Sequence, residues 1–124
     1  MTNQILVVDD DQLMHMLFEH HLEGAGYRML SAMSGQQALE MAAREQPVLI
    51  VMDVMMPDVD GLAVLRDLKK ADATKAIPVI IITSNRHALM QKESEIAGAA
   101  IFLTKPFSPI QLLNEIRRLV PAKT

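Results

Sequence analysis

The fold of this chain is decided by residues 5–10, which read Ile-Leu-Val-Val-Asp-Asp. Short runs of Val, Ile and Leu are typical of parallel strands that are buried on both faces of a sheet. Three further runs also lead to a polar side chain: 48–52 to Asp53, 79–82 to Thr83, and 101–103, through Thr104, to Lys105. In open α/β sheets the site lies at the carboxyl ends of the strands, so we expect these polar side chains to meet in one crevice.

Helical patterns separate the runs of the first half. Asp11 is the predicted N-cap of a first helix that closes near Gly24. Its apolar stripe comprises Leu13, Met14, Leu17, Phe18 and Leu22. Residues 27–32 are predicted to form a second strand, and Ser34 with Gln37 reads as a capping box that opens a second helix.

Three more helices are predicted in the second half. The third follows a loop that ends at Gly61, and it carries Leu62, Leu65 and Leu68. The fourth, from about 86 to 97, has weak apolar periodicity. The fifth begins with Ser108 as cap, Pro109 in the first turn and Gln111 completing a capping box, and its inward side chains are predicted to be Ile110, Leu113 and Ile116.

Five strands alternating with five helices predict an α/β fold with a doubly wound parallel sheet. The 124 residues suit one domain spanning 1–124, with an ordered core from about 3 to 120. The net charge is −3 and the basic residues are scattered, so we expect no nucleic-acid partner. There are no cysteines, no signal peptide pattern and no long apolar run, from which we expect a cytoplasmic protein without a membrane partner.

Convergence of Asp9, Asp10 and Asp53 would place like charges together. A carboxylate pair at about 4 Å costs on the order of 4 kcal/mol at an effective dielectric near 20. Lys105 supplies one compensating charge, and a divalent cation would supply more. Oxygen ligands suit Mg²⁺ or Mn²⁺ and not zinc, and a site of this kind, with Asp53 as nucleophile, suits phosphoryl transfer.

Motifs along nearly the whole chain resemble the receiver domain of two-component response regulators. They are Asp9-Asp10, the stretch from Asp53 through Pro57 to Gly61, Thr83-Ser84, Ala97-Gly98-Ala99 and Lys105-Pro106-Phe107. The resemblance implies a flavodoxin-like sheet with the strand order 2-1-3-4-5.

The same resemblance implies a role for each residue of the site. Asp53 would be the phosphoacceptor, and Asp10, Asp53 and the backbone carbonyl of Met55 would bind Mg²⁺, with Mn²⁺ as a substitute and Asp9 acting through a metal-bound water. Lys105 and the hydroxyl of Thr83 would contact phosphoryl oxygens, as would the backbone of Ser84. Thr83 and Phe102 would form the switch, and Met55 and Asn85 would tune the lifetime of the phosphoryl group. Because Met55 is bulky and apolar, we expect a long-lived phosphoryl state.

The implied function is that of a phosphorelay switch. A sensor histidine kinase, a histidine phosphotransfer protein or acetyl phosphate would donate the phosphoryl group, and the domain would catalyse only its own phosphorylation and dephosphorylation. The fourth helix, fifth strand and fifth helix would bind a downstream protein. We expect a stand-alone protein that is a monomer or a weak, phosphorylation-dependent dimer.

Several alternatives stay open. The chain could be a receiver module of a longer transcriptional regulator or hybrid histidine kinase. A metal-dependent aspartyl-phosphate phosphatase is more distant, because Met55 stands where one such family has a second Asp. Phe102 could be a plain core residue, and Asp11 is interpreted as a cap only. The three histidines of the first helix, His15, His20 and His21, are predicted to lie on a solvated face outside the site.

Overall fold

The computed structural model describes residues 3–54, 61–83, 88–105 and 108–120. The strands are β1 Gln4–Val8, β2 Arg28–Ala32, β3 Leu49–Asp53, β4 Val79–Thr83 and β5 Ile101–Thr104. The helices are α1 Gln12–Gly24, α2 Gly35–Glu45, α3 Gly61–Lys70, α4 Ala88–Ala97 and α5 Pro109–Leu119. In the described part of the chain, no helix has the length and apolar composition needed to cross a bilayer.

The strands form one parallel sheet in the order β2-β1-β3-β4-β5, which confirms the predicted topology. The chain moves outward from β1 to β2, returns to β3 beside β1, and then continues outward in the other direction. This reversal next to β1 creates the crevice in which ligands of open α/β sheets bind.

Both faces of the sheet are covered by helices, which explains why its strands are apolar throughout. Along β1, Leu6 and Val8 pack on the side of α2 and α3, whereas Ile5 and Val7 pack on the side of α1 and α5. Successive residues of a strand point to opposite faces, so a strand between two helical layers needs an apolar residue at every position. Every described residue of β3 and β4 is buried.

The three predicted N-cap residues are confirmed, but the capping box at Ser34 is not complete, because the side chain of Gln37 accepts from the N–H of Met33 at 2.8 Å and not from that of Ser34. Each cap side chain accepts a hydrogen bond from a backbone N–H two or three residues later: Asp11 from Leu13 at 2.9 Å, Ser34 from Gln37 at 3.2 Å and Ser108 from Gln111 at 3.0 Å. These bonds satisfy N–H groups that the first turn of a helix leaves without a partner. The local sequence therefore predicts where these three helices begin.

The apolar stripe predicted for α1 is wrong at two positions. Leu13 and Leu17 are 68% and 52% exposed, whereas the buried side chains are His15, Phe18 and Leu22. Each residue of a helix turns by about 100°, so burying positions 15, 18 and 22 directs 13 and 17 away from the core. An imidazole therefore occupies an inward position of α1.

A similar correction applies to α5. The predicted inward position of Ile110 is wrong, because this side chain is 69% exposed, while Leu112 and Ile116 are buried and Leu113 is partly buried. Apolar residues occur on more than one face of this helix, so periodicity alone does not select the buried one. The prediction for α3 is confirmed, since Leu62, Leu65 and Leu68 are all buried.

Candidate functional site

Four adjacent strands deliver side chains to the same end of the sheet. Asp9 directly follows β1, Asp53 and Thr83 end β3 and β4, and Lys105 directly follows β5. The ammonium nitrogen of Lys105 lies 2.8 Å from Oδ2 of Asp53 and 4.0 Å from Oδ2 of Asp9. The structure thus brings together three charged side chains that are far apart in sequence.

Lys105 is held in place by its backbone as well as by its side chain. Its N–H donates to the carbonyl of Thr83 at 2.8 Å, and its Nζ donates to Asp53. Burial lowers the pKa of Lys105, but the hydrogen bond to Asp53 and the charges of Asp53 and Asp9 outweigh burial, so the pKa is raised above 10.5. Lys105 is therefore a fixed positive charge at neutral pH.

Asp9 is a buried carboxylate with an unusual set of partners. Its side chain is 1% exposed, and Oδ1 accepts a hydrogen bond from the N–H of Asp11 at 2.9 Å. Burial raises the pKa of Asp9 above 3.8 in spite of that hydrogen bond, and the charge of Asp53 raises the pKa further. Within the described ranges, Oδ2 of Asp9 is buried and accepts no hydrogen bond. A buried carboxylate oxygen in this state favours a cation or a water molecule beside it.

The residues of this crevice fit Mg²⁺. Asp9 and Asp10 follow β1 and Asp53 ends β3, so three carboxylates stand at the same end of the sheet. Asp10 is exposed, and its charge also raises the pKa of Asp9. In the part of the chain that the structure describes, no three His, Asp or Glu side chains are grouped closely enough to hold an ion by themselves. Mg²⁺ uses one or two carboxylates and completes its shell with water and phosphate oxygens, so a full protein cage is not required.

Thr83 and Phe102 face the same side of the sheet. Ile81 and Phe102 are register partners on β4 and β5, and both pack on the side of α2 and α3. Residues two apart on a strand share a face, so Thr83 points to the same side as Ile81. Thr83 is fully buried and Phe102 is partly buried. Thr83 and Phe102 therefore lie on the same face of adjacent strands, and their role as a switch stays a prediction.

The prediction that His15 lies on a solvated helix face is wrong. The ring is 4% exposed, and its Nε2 lies 2.7 Å from the carbonyl oxygen of Asp9. His20 is exposed and His21 is partly buried. The spacing of His15 with Phe18 and Leu22, three and seven residues later, is a helical stripe that would have indicated burial.

Gly61, which the sequence placed at the end of the motif and of the predicted loop, has a packing role that the patterns did not reveal. A Cβ at this residue would overlap Cα of Val54 and would lie 2.7 Å from its Cβ. Val54 immediately follows the candidate phosphoacceptor Asp53, and its N–H donates to Ile82 at 3.2 Å. The start of α3 therefore packs against the backbone beside the site, which only glycine permits.

Three predicted site residues, Met55, Ser84 and Asn85, lie outside the described residues. Their roles as metal-binding carbonyl, phosphoryl contact and lifetime-tuning side chain remain predictions.

The chain is similar to curated response regulators over nearly its whole length. It is 41% identical over 123 residues to the response regulator PleD of Caulobacter vibrioides, a match that covers 99% of this chain and 27% of PleD. It is 34% identical over 119 residues to the polar-differentiation response regulator DivK of Brucella ovis, covering 94% of this chain and 95% of DivK. The chain thus spans about a quarter of PleD but nearly all of DivK.

Solved structures show the same architecture. The chemotaxis protein CheY4 of Vibrio cholerae superimposes with a TM-score of 0.90 at 28% identity, covering 97% of this chain and 100% of CheY4. The receiver domain of the sensor histidine kinase PA1611 from Pseudomonas aeruginosa superimposes with a TM-score of 0.87 at 27% identity, and the match covers 98% of this chain and 100% of that domain. The PA1611 domain has a magnesium ion coordinated in its active-site cleft. The family model of the response regulator receiver domain matches residues 5–117. This chain belongs to the receiver domain family of two-component response regulators.

Proposed function

We propose that this receiver domain accepts a phosphoryl group on Asp53 and that the modification changes a protein-binding surface. One observation carries the proposal: Asp53 ends the central strand β3 with its carboxylate 2.8 Å from the ammonium group of Lys105, beside the buried carboxylate of Asp9. This combination provides a nucleophile, a positive charge for phosphoryl oxygens and a negative pocket for a cation.

In the proposed reaction a carboxylate oxygen of Asp53 attacks the phosphorus atom of a phosphohistidine. The new O–P bond forms as the P–N bond breaks, and the electron pair of that bond stays on the imidazole nitrogen of the donor. Lys105 lies where it can donate to an oxygen of the transferred group, which neutralises charge in the transition state. Hydrolysis reverses the modification when water attacks phosphorus and the Asp53 carboxylate leaves.

The cation of this site would be Mg²⁺, with Mn²⁺ as a substitute. Asp10, Asp53 and the backbone carbonyl of Met55 would hold it, and Asp9 would contact it through a bound water. When bound, the ion supplies positive charge that lowers the repulsion between the attacking carboxylate and the phosphoryl oxygens. The negative charges of Asp9 and Asp53 favour a cation at this position.

The conformational response would run through Thr83 and Phe102. The Thr83 hydroxyl would turn toward the phosphoryl group together with the backbone of Ser84, and Phe102 would move inward on the same side of the sheet. The resulting change would appear on the surface of α4, β5 and α5, where a downstream protein would bind. The domain would work as a monomer or as a weak, phosphorylation-dependent dimer.

The domain is a signalling module, and we propose that its catalysis is limited to its own phosphorylation and dephosphorylation. Receiver domains pair with sensor histidine kinases as a family. The donor of this chain would be such a kinase or a histidine phosphotransfer protein in the cytoplasm. Met55 and Asn85 would set the lifetime of the phosphoryl group.

Acetyl phosphate with MgCl₂ tests this function. Intact mass spectrometry should show one added phosphoryl group on the parent and none on Asp53→Asn. Asp72→Asn is the matched control, since Asp72 is an exposed carboxylate that pairs with Lys75 at 3.1 Å, away from the crevice. Labelling of Asp53→Asn, or steady turnover of small phosphoesters, would contradict the proposed function.

A further inference from the structure

Helix α1 buries an imidazole directly behind the acidic turn. His15 is 4% exposed, and its Nε2 lies 2.7 Å from the carbonyl oxygen of Asp9. A carbonyl oxygen only accepts hydrogen bonds, so Nε2 must carry the proton. Nδ1 is buried and has no hydrogen-bond partner within the described ranges. Within this part of the chain the ring therefore makes one hydrogen bond, through Nε2, and leaves Nδ1 without one. Burying an imidazole in this way costs free energy that apolar packing alone does not explain.

The hydrogen bonds around Asp9 leave one atom of that residue for a ligand. Its N–H donates to Ala32 at 3.2 Å, its carbonyl accepts from His15, and its Oδ1 accepts from the N–H of Asp11. Of its three oxygens, only Oδ2 accepts no hydrogen bond from the described part of the chain. Asp9 is therefore anchored at three atoms and presents the fourth, Oδ2, to Lys105 and the crevice.

The carbonyl that His15 holds also belongs to the peptide that joins Asp9 to Asp10. A peptide unit is planar from one Cα to the next, so fixing its oxygen fixes the direction in which the chain reaches Cα of Asp10. The backbone N–H of His15 also donates to the carbonyl of Asp11 at 3.3 Å. One residue thus ties both ends of the Asp9–Asp11 turn to α1.

We propose that His15 is a positioning residue for the cation site: its Nε2–H holds the Asp9–Asp10 peptide in the orientation that directs both carboxylates to Mg²⁺. The inference rests on the proposed function and adds to it a residue that touches neither the ion nor the phosphoryl group. It acts as the outer partners of metal ligands commonly do, by fixing the ligands before the ion arrives.

Four chains test the proposal: the parent, His15→Phe, His15→Gln and His20→Phe. Phenylalanine keeps a ring at the buried position but has no donor, whereas the glutamine amide places a donor near the position of Nε2. His20 is exposed on the same helix and is the matched control. Metal-free, ¹⁵N-labelled samples are titrated with MgCl₂ while backbone amide signals are recorded, and labelling by acetyl phosphate is measured across the same MgCl₂ concentrations.

His15→Phe should bind Mg²⁺ about tenfold more weakly, in line with the effect of removing an outer partner of a metal ligand. His15→Gln should stay within about threefold of the parent, and His20→Phe should match it. The labelling rate at saturating MgCl₂ should change little in any variant, because His15 does not touch the reacting atoms. In the parent, ¹⁵N spectra of the imidazole should show a protonated Nε2 and a bare Nδ1.

Three results would overturn the proposal while leaving the proposed function intact: unchanged Mg²⁺ affinity in His15→Phe, equal losses in the Phe and Gln variants, or a bare Nε2 in the parent. The imidazole spectrum is recorded on the parent, so it tests the proposal even if a substituted chain fails to fold. A parent whose signals do not respond to MgCl₂ would instead overturn the proposed function, and this proposal with it.

Discussion

Replacing Lys105 with methionine removes the ammonium group between Asp53 and Asp9 while keeping most of the aliphatic stem. At an effective dielectric of about 20, a charge pair is worth about 6 kcal/mol at the 2.8 Å separation from Asp53 and about 4 kcal/mol at the 4.0 Å separation from Asp9. Desolvation of Lys105 offsets much of this sum, and its side chain remains 29% exposed. After discounting for solvent screening, we expect a loss of about 2 kcal/mol in the free energy of unfolding.

The assay is urea unfolding at pH 7 in EDTA, followed by far-UV circular dichroism because the chain has no tryptophan. The raised pKa of Lys105 means that its contribution is fully present below pH 10.5 and is lost only as the pH rises above that value. A double-mutant cycle with Asp53→Asn isolates the pair and should give a coupling energy of about 1–2 kcal/mol.

The chain provides its own control for this cycle. Lys75 and Asp72 form an ion pair at 3.1 Å with side chains that are 58% and 94% exposed, so the cycle of Lys75→Met and Asp72→Asn should give at most about 0.5 kcal/mol. If the two cycles gave the same coupling energy, the argument that partial burial strengthens the Lys105–Asp53 pair would be refuted.

Three further predictions concern the same end of the sheet. Gly61→Ala should lower the free energy of unfolding by about 1–3 kcal/mol, because the new Cβ would overlap Val54. Gly24→Ala, with open space around it, should be neutral or stabilising, and equal effects of the two variants in urea unfolding would contradict this prediction. Because the pKa of Asp9 is raised, the metal-free fold should lose stability as the pH rises from 3.8 through the folded-state pKa. Asp9→Asn should flatten this part of the profile of unfolding free energy against pH. An unchanged profile would refute the cause that we assign. MgCl₂ at about ten times its dissociation constant should stabilise the parent by about 1.4 kcal/mol. A thermal melt of Asp10→Asn should show no such gain. An equal gain in the variant would show that Asp10 is not a ligand of the cation.

Much of the fold could be read from local patterns. The apolar runs that end at Asp53 and Thr83 became buried central strands, and Ser34 and Ser108 became helix caps. These features depend on residues within a few positions of one another, so the sequence contains all the information that they require. The order of the strands came from the family resemblance, and the structure confirmed it.

The helix faces could not be read in the same way. In α1, Leu13 and Leu17 matched an apolar stripe, yet the helix buries His15 instead. A hydrophobicity pattern counts an imidazole as polar and does not register the hydrogen bond that makes its burial favourable. That bond exists only once Asp9 and the first turn of α1 have taken their positions at the end of β1.

The sequence by itself determined which side chains stand at the ends of the strands, and therefore that Asp9, Asp53, Thr83 and Lys105 belong to one edge of the sheet. Only the tertiary structure decided the contacts among them: Lys105 bonded to Asp53, Asp9 buried with Oδ2 toward the crevice, and His15 beneath the acidic turn. Strand ends follow from local patterns, but contacts between residues far apart in the chain depend on how β1, β3, β4 and β5 pack side by side, which no local pattern specifies.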